Sequence, residues 1–157
     1  MASVLGNHFG SIPGDGQGKV IALDKDNGKL LWQFKIQSKE PGQCVIWKDS
    51  VIFGAGEGLL YALDLDSGKT RWKTEIKGHL GTYAGIAVTG DNVAIVASPS
   101  YPDALDGGPL YLVDCERGKV LWKKEGNFKT VAADERLLYL GSPDRLTPKK
   151  TAPMVTA

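Results

Sequence analysis

At 157 residues, 42% hydrophobic and 24% charged, the chain is long enough to bury a core and has the balance of an ordinary globular protein. Its 19 Lys and Arg stand against 18 Asp and Glu, so no excess of either sign advertises nucleic acid or an anionic membrane surface. Cys44 and Cys115 are far apart with no partner at metal-ligand spacing, which leaves neither a zinc site nor a disulfide framework to argue.

From Met1 to Gly6 there is neither the basic segment nor the apolar core of a secretion signal, and no later stretch approaches membrane-spanning length. Val4-Leu5-Gly6-Asn7-His8-Phe9 reads as a strand that opens a first sheet lacking its innermost member. A unit then begins at Gly18-Lys19-Val20-Ile21-Ala22-Leu23-Asp24 and continues Lys25-Asp26-Asn27-Gly28-Lys29-Leu30-Leu31-Trp32. It returns as Gly58 to Trp72 and again as Gly108 to Trp122. Asp24, Gly28 and Trp32 keep their spacing in Asp64, Gly68 and Trp72, and in Asp114, Gly118 and Trp122. The period is 40 residues from Asp24 to Asp64 and 50 from Asp64 to Asp114.

Each unit has the form of a β-hairpin: a β-rich run, a polar turn whose glycine can take positive φ, and a second strand that carries the Trp. Between units lie two more apolar runs. They are Cys44 to Trp47 with Ser50 to Gly54, then Ile86 to Val88 with Asn92 to Ala97, then Val131 to Ala133 with Leu137 to Gly141. Four short strands per period, with no helical periodicity, is the size of a propeller blade. Ser98 to Pro109 reads as an inserted loop that accounts for the longer second period, and Tyr101, Asp103 and Asp106 make it the candidate binding loop. From Ser142 the chain is polar and carries Pro148, Lys149 and Lys150 with no strand period. These signals place the blades in residues 1–142, with repeat units around 18–32, 58–72 and 108–122, and an irregular extension in 143–157.

Ala22-Leu23-Asp24…Gly28…Trp32 and Ala62-Leu63-Asp64…Gly68…Trp72 resemble the tryptophan-docking repeat of the pyrroloquinoline-quinone-like, or quinoprotein-type, β-propellers. The third copy departs from it with Leu112 in place of the alanine, and the resemblance covers roughly residues 4 to 142. It implies a ring of seven or eight blades in which each repeated Trp packs between neighbours, so burial of Trp32, Trp72 and Trp122 is expected. It also suggests an extracytoplasmic location. The strands present suffice for about three blades, so the expected fold is all-β, a partial β-propeller of about three four-stranded antiparallel blades.

The Asp-x-Asp-x-Gly turns at Asp24 and Asp64 invite a calcium reading, but the Gly comes too early for an EF-hand loop and no closing Glu follows. Asp capping its own turn is the simpler role. Quinoprotein dehydrogenases share the blade repeat, and that family carries adjacent cysteines, a catalytic Asp and a calcium-binding Glu and Asn. Adjacent cysteines are absent here and none of those positions can be matched, so no catalytic, cofactor or metal residue is assigned and neither the quinone nor calcium is supported. His8 and His79 lie near no Ser, Cys or second His at a catalytic or metal spacing; His79, in a Gly-rich link, could border the central channel. Trp47, off the repeat, is expected in core or inter-blade packing. The reading is a non-catalytic binding or scaffold module, completed by self-association through its open end blades, by a protein partner or by missing blades. A fragment or subunit of a quinoprotein dehydrogenase is the alternative.

Overall fold

The computed structural model describes residues 2–5, 17–56, 58–82, 84–99 and 107–142. Within them the chain is all β. The strands are β1 (Ala2–Leu5), β2 (Lys19–Leu23), β3 (Leu30–Lys35), β4 (Pro41–Trp47), β5 (Ser50–Ala55), β6 (Leu59–Asp64), β7 (Thr70–Glu75), β8 (Ile86–Thr89), β9 (Asn92–Val96), β10 (Gly108–Asp114), β11 (Val120–Phe128), β12 (Thr130–Ala133) and β13 (Leu138–Gly141). Two complete antiparallel sheets, β4-β5-β6-β7 and β8-β9-β10-β11, stand between a three-stranded sheet, β1-β2-β3, and a two-stranded one, β12-β13. This is a partial β-propeller with four-stranded blades. No helix among the described residues is long and apolar enough to cross a membrane.

The repeated hairpin explains itself locally. In each copy the Asp carbonyl accepts the N–H of the glycine four residues on, at 2.8 Å for Asp24 and 2.9 Å for Asp64 and Asp114. The three glycines take φ of +73°, +68° and +70°, where a Cβ would be strained. Past the turn, Ala22 faces Trp32, Ala62 faces Trp72 and Leu112 faces Trp122, and the register shifts by one residue at the same place each time. The extra residues are Leu31, Arg71 and Leu121, pushed out of the ladder and exposed.

Sheets pack face to face through alternate side chains. Val20, Ala22 and Trp32 of the first sheet meet Val51, Phe53, Tyr61 and Leu63 of the second. Ile52, Leu60 and Ala62 meet Ile86, Val93, Ile95, Tyr111 and Val113. Ala94, Val96 and Leu110 meet Val131, Leu138 and Leu140. Side chains from both faces of β5 and β6 are buried because each has a neighbouring sheet, which is why those strands read as unbroken apolar runs.

Three expectations change in detail. Strand β1 covers Ala2–Leu5, starting before the expected Val4; Gly6, Asn7, His8 and Phe9 of the expected run lie outside the described residues. The inserted loop is shorter at both ends than Ser98 to Pro109, because Ser98 exchanges backbone hydrogen bonds with His79 at 2.7 and 3.0 Å while Gly108 and Pro109 already belong to β10. Tyr101, Asp103, Asp106 and the extension 143–157 lie outside the described residues. Finally, the three repeat tryptophans are unequally buried: Trp32 is 9% exposed, Trp72 is half-buried and Trp122 is 40% exposed. Burial of this ring depends on the turn of the following sheet, and none of the described residues supplies one beyond Trp122.

Candidate functional site

The β4–β5, β6–β7, β8–β9 and β10–β11 turns emerge at one end of the strands, and the inter-sheet links emerge at the other together with the β5–β6 connection. At the turn end, the repeat builds the junction between sheets. Trp32 Nε1 donates to the carbonyl of Leu65 at 2.9 Å, and Trp72 Nε1 donates to that of Cys115 at 2.9 Å. Leu65 and Cys115 each follow the repeat Asp of the next sheet, so one contact is made twice by equivalent residues. Each indole also lies over a glycine of that turn. A Cβ on Gly68 would stand 2.6 Å from Trp32, and one on Gly118 would stand 2.5 Å from Trp72. Thr74 Oγ1 adds a bond to the Gly118 carbonyl at 2.6 Å.

A second row of fixtures lies nearer the inner strands. Trp47, buried as a packing residue, donates through Nε1 to the Gly90 carbonyl at 3.1 Å, and Thr89 Oγ1 donates to the Asp134 carbonyl at 2.6 Å. Lys48 sits over the Trp47 ring at 4.2 Å and pairs with Asp91 at 3.2 Å. Every sheet is thereby pinned to the next at its turn end, in two places where both sheets are complete.

The repeat carboxylates serve these turns. Asp24, Asp64 and Asp114 each accept, through Oδ1, the backbone N–H three residues on, at 3.2, 2.9 and 2.7 Å. Asp64 is drawn further: Arg71, thrown outward by the register shift, donates Nη1 and Nη2 to both oxygens of Asp49 at 2.8 and 2.6 Å and Nη2 to Asp64 at 2.7 Å. The guanidinium holds both carboxyls below the usual carboxylate range, and they in turn raise the Arg71 pKa. This clamp was not foreseen. Its signal was a charged residue where the other two copies carry Leu31 and Leu121.

At the link end, His79 is held between neighbours. Its Nδ1 accepts the Gly81 N–H at 3.2 Å, so Nε2 carries the proton toward Glu40 Oε2 at 3.1 Å. Ser38, also buried, accepts the N–H groups of Glu40 and Gly56 at 3.0 and 3.1 Å. The small residues are required: a Cβ on Gly56 would meet Ser38 Oγ at 2.9 Å and His79 Nε2 at 3.0 Å. The cluster fastens the β3–β4, β5–β6 and β7–β8 connections to one another, and sequence reasoning missed Glu40 because it lies in a different connection from His79. A recess of about 130 Å³ is lined by Gln43, Thr82, Ile86, Lys129 and Thr130 and includes none of the cluster's residues.

Cys44 and Cys115 are free thiols whose pKa burial pushes up to about 12, the reverse of what a reactive cysteine needs. Among the described residues no three His, Cys, Asp or Glu side chains gather into a metal-binding group.

The chain is similar in fold to BamB from Moraxella catarrhalis, at 22% identity and TM-score 0.63, over 79% of this chain and 36% of that one. It is similar also to the computationally designed Ika4 protein, at 22% identity and TM-score 0.63, over 83% of this chain and 76% of the design. A third likeness is to quinohemoprotein alcohol dehydrogenase from Comamonas testosteroni, at 25% identity and TM-score 0.57, over 71% of this chain and 20% of that one. The chain thus spans about a third of the Moraxella protein and a fifth of the dehydrogenase. No curated protein sequence matches it. Residues 10–124 match the model of the family described as outer membrane protein assembly factor BamB, and the chain belongs to that family.

Proposed function

We propose that this chain is a non-catalytic, protein-binding scaffold: an arc of about three blades of the quinoprotein-like type, joined by tryptophan docking and completed by polypeptide at its two ends. What carries the reading is the use made of the polar side chains. Arg71 with Asp49 and Asp64, His79 with Glu40, and Tyr139 with Asp134 are paired with one another and hold turns and links, on the frame of an assembly-factor family. Asp24, Gly28 and Trp32 and their equivalents act structurally, as hairpin and junction. Residues 1–142 form the blades and 143–157 an irregular extension, with Tyr101, Asp103 and Asp106 as the variable binding loop. By analogy with an outer membrane protein assembly factor, its place is outside the cytoplasm and its ligand an extended segment of an outer-membrane β-barrel protein. Free strand edges can accept such a segment by strand addition.

The likeness to quinohemoprotein alcohol dehydrogenase, at 25% identity, favours a second reading as part of a quinone enzyme. One pair of titrations separates them. A labelled, unfolded outer-membrane β-barrel polypeptide should bind saturably by fluorescence anisotropy. Pyrroloquinoline quinone with calcium should neither quench the tryptophans saturably nor support alcohol-dependent dye reduction. Quinone binding with dye reduction would overturn the scaffold reading.

A further inference from the structure

We propose that the recess between the three innermost strands is a binding site for a carboxylate. β4, β8 and β12 are the inner edges of successive sheets and lie side by side. They end at Trp47, Thr89 and Ala133. Trp47 and Thr89 hold the same place, since each donates to the first turn residue of the next sheet, Gly90 and Asp134. Four residues before the three ends stand Gln43, Gly85 and Lys129. The middle strand thus carries no side chain where its two neighbours carry long ones, and the gap between them is the recess. Glycine is needed there, because a Cβ on Gly85 would stand 2.8 Å from the Lys129 carbonyl oxygen and 3.0 Å from Thr130 Cα. This close approach of main chain to main chain fixes the wall between the two strands.

Polar side chains elsewhere are paired with one another: Arg71 with Asp49 and Asp64, His79 with Glu40, Tyr139 with Asp134. Around the recess they are not. Gln43, Thr82, Lys129 and Thr130 make no side-chain hydrogen bond or ion pair among the described residues. Lys129 is half-buried and the other three are exposed. Together they offer a carboxamide, two hydroxyls and an ammonium, all able to donate, and Lys129 is the one charged residue among those that line the recess. Glu40, the acidic residue of the β3–β4 link, is turned to His79 Nε2 at 3.1 Å and does not line it. One positive charge among several donors matches a monoanion with two acceptor oxygens. Ala84, Ile86 and Val131 complete the lining with apolar groups, which suit the carbon that bears such an anion. The volume of about 130 Å³ equals that of about four waters at ~30 Å³ each. It admits a carboxylate and a carbon or two but not a cofactor, whose pockets run to roughly 300 Å³ and more. The occupant is therefore the acidic end of a polypeptide, an acidic side chain or a small acid. The same groups hold it in each case, so the site goes beyond the scaffold reading and does not depend on it.

Two-dimensional amide NMR of the chain, titrated at fixed ionic strength, tests the site. The probes are acetate, acetyl-trialanine with a free carboxyl terminus, the same peptide amidated, the α-amide of acetylglutamate, and inorganic phosphate. The carboxylates should shift the backbone amides of Thr82, Gly85 and Thr130 and the side-chain amide of Gln43 saturably, and the amidated peptide should not. Lys129→Met, which keeps the stem and removes the charge, should weaken binding about tenfold or more, as loss of a charged hydrogen bond does. Gln43→Leu should weaken it about two- to tenfold. Lys124→Met, at an exposed lysine of β11 outside the recess, should leave binding unchanged. Resonances away from the recess that keep their positions show each variant folded. The tightest of acetate, peptide terminus and glutamate side chain identifies the source, and each of the three outcomes sustains the carboxylate. No saturable shift with any carboxylate, binding of the amidated peptide or of phosphate as tight as theirs, or an equal loss in Lys124→Met would overturn the proposal. None of these results bears on the β-barrel polypeptide titration, so the two readings fail separately.

Discussion

The indole of Trp32 lies against the backbone of Gly68, so near that a Cβ on that glycine would stand 2.6 Å from the ring. Glycine is therefore needed there twice over, once for its φ of +68° and once for the close approach of a side chain from the neighbouring sheet. Gly28 has the same φ requirement and no atom of the chain within 4 Å of where its Cβ would stand, which lets the two demands be measured apart. Gly28→Ala should cost about 1–2 kcal/mol for the left-handed backbone alone. Gly68→Ala should cost that and roughly 1–3 kcal/mol more for displacing the ring. Urea titrations of the two variants test this, and equal losses would show that the Trp32 contact yields without cost.

Truncating the repeat tryptophans should rank them by the cover each receives. Trp32→Ala should lose roughly 3–5 kcal/mol, the range for a buried large aromatic, and leave the Leu65 carbonyl without its donor. Trp72→Ala, half-buried but bonded to Cys115, should fall at or below the lower end of that range. Trp122→Ala should lose less than about 1 kcal/mol from the fold. Denaturant unfolding checks the order, and a loss at Trp122 equal to that at Trp32 would contradict the unequal burial.

The fold class was legible because the features that betray it act within a few residues. Asp24 to Gly28 closes its own turn, and Ala22 facing Trp32 follows from the hairpin register, so a repeated string predicts a repeated sheet. Burial of Trp122 was misjudged because it depends on a neighbouring sheet, which no local pattern encodes. The pairing of His79 with Glu40 was hidden for a related reason: it joins two connections brought side by side by the stacking of sheets. Arg71 was visible as a departure from Leu31 and Leu121, but its partner Asp49 lies in another turn, and their meeting depends on the register shift before Trp72.

The Arg71 clamp should give the protein an acid-dependent component of stability. Hydrogen bonds from Arg71 lower the folded-state pKa of Asp49 and Asp64. In the unfolded chain these carboxyls titrate near the ordinary value of about 4. A lowered folded pKa means that the unfolded state binds protons first as pH falls. The contribution is therefore complete above the unfolded pKa and is lost as pH drops through the lowered folded values. Arg71→Leu, which installs the residue found in the other two repeats, should be less stable than wild type at neutral pH and should approach it as the solution is acidified. The carboxylates are exposed, so added salt should narrow the difference as well. Melting temperatures that run parallel from neutral pH down to pH 2 would show that Arg71 acts through packing of its stem and not through charge.

Thiol chemistry should report opening of the stack from the inside. Cys115 is 1% exposed and its carbonyl takes the hydrogen bond from Trp72, so its sulfur sits within the junction between the second and third sheets. Cys44 lies on β4, half-buried and packed against the core shared by the first and second sheets. Both thiols have pKa values pushed to about 12, chiefly by burial, so at neutral pH almost no thiolate is present in the native state. Labelling of the buried Cys115 by a thiol reagent under native conditions must then wait for a local or global opening, and its rate measures the population of that opening, whereas the half-buried Cys44 is limited chiefly by its scarce thiolate. Cys115 should react more slowly than Cys44, because reaching it requires two complete sheets to part. Trp72→Ala, which removes the indole over that junction, should accelerate Cys115 much more than Cys44. Trp32→Ala should do the opposite, since it loosens the first junction and leaves the second intact. Mass spectrometry of peptides after timed alkylation resolves the two sites, and equal acceleration of both by either substitution would mean that the sheets separate as one unit and that the junctions are not independent.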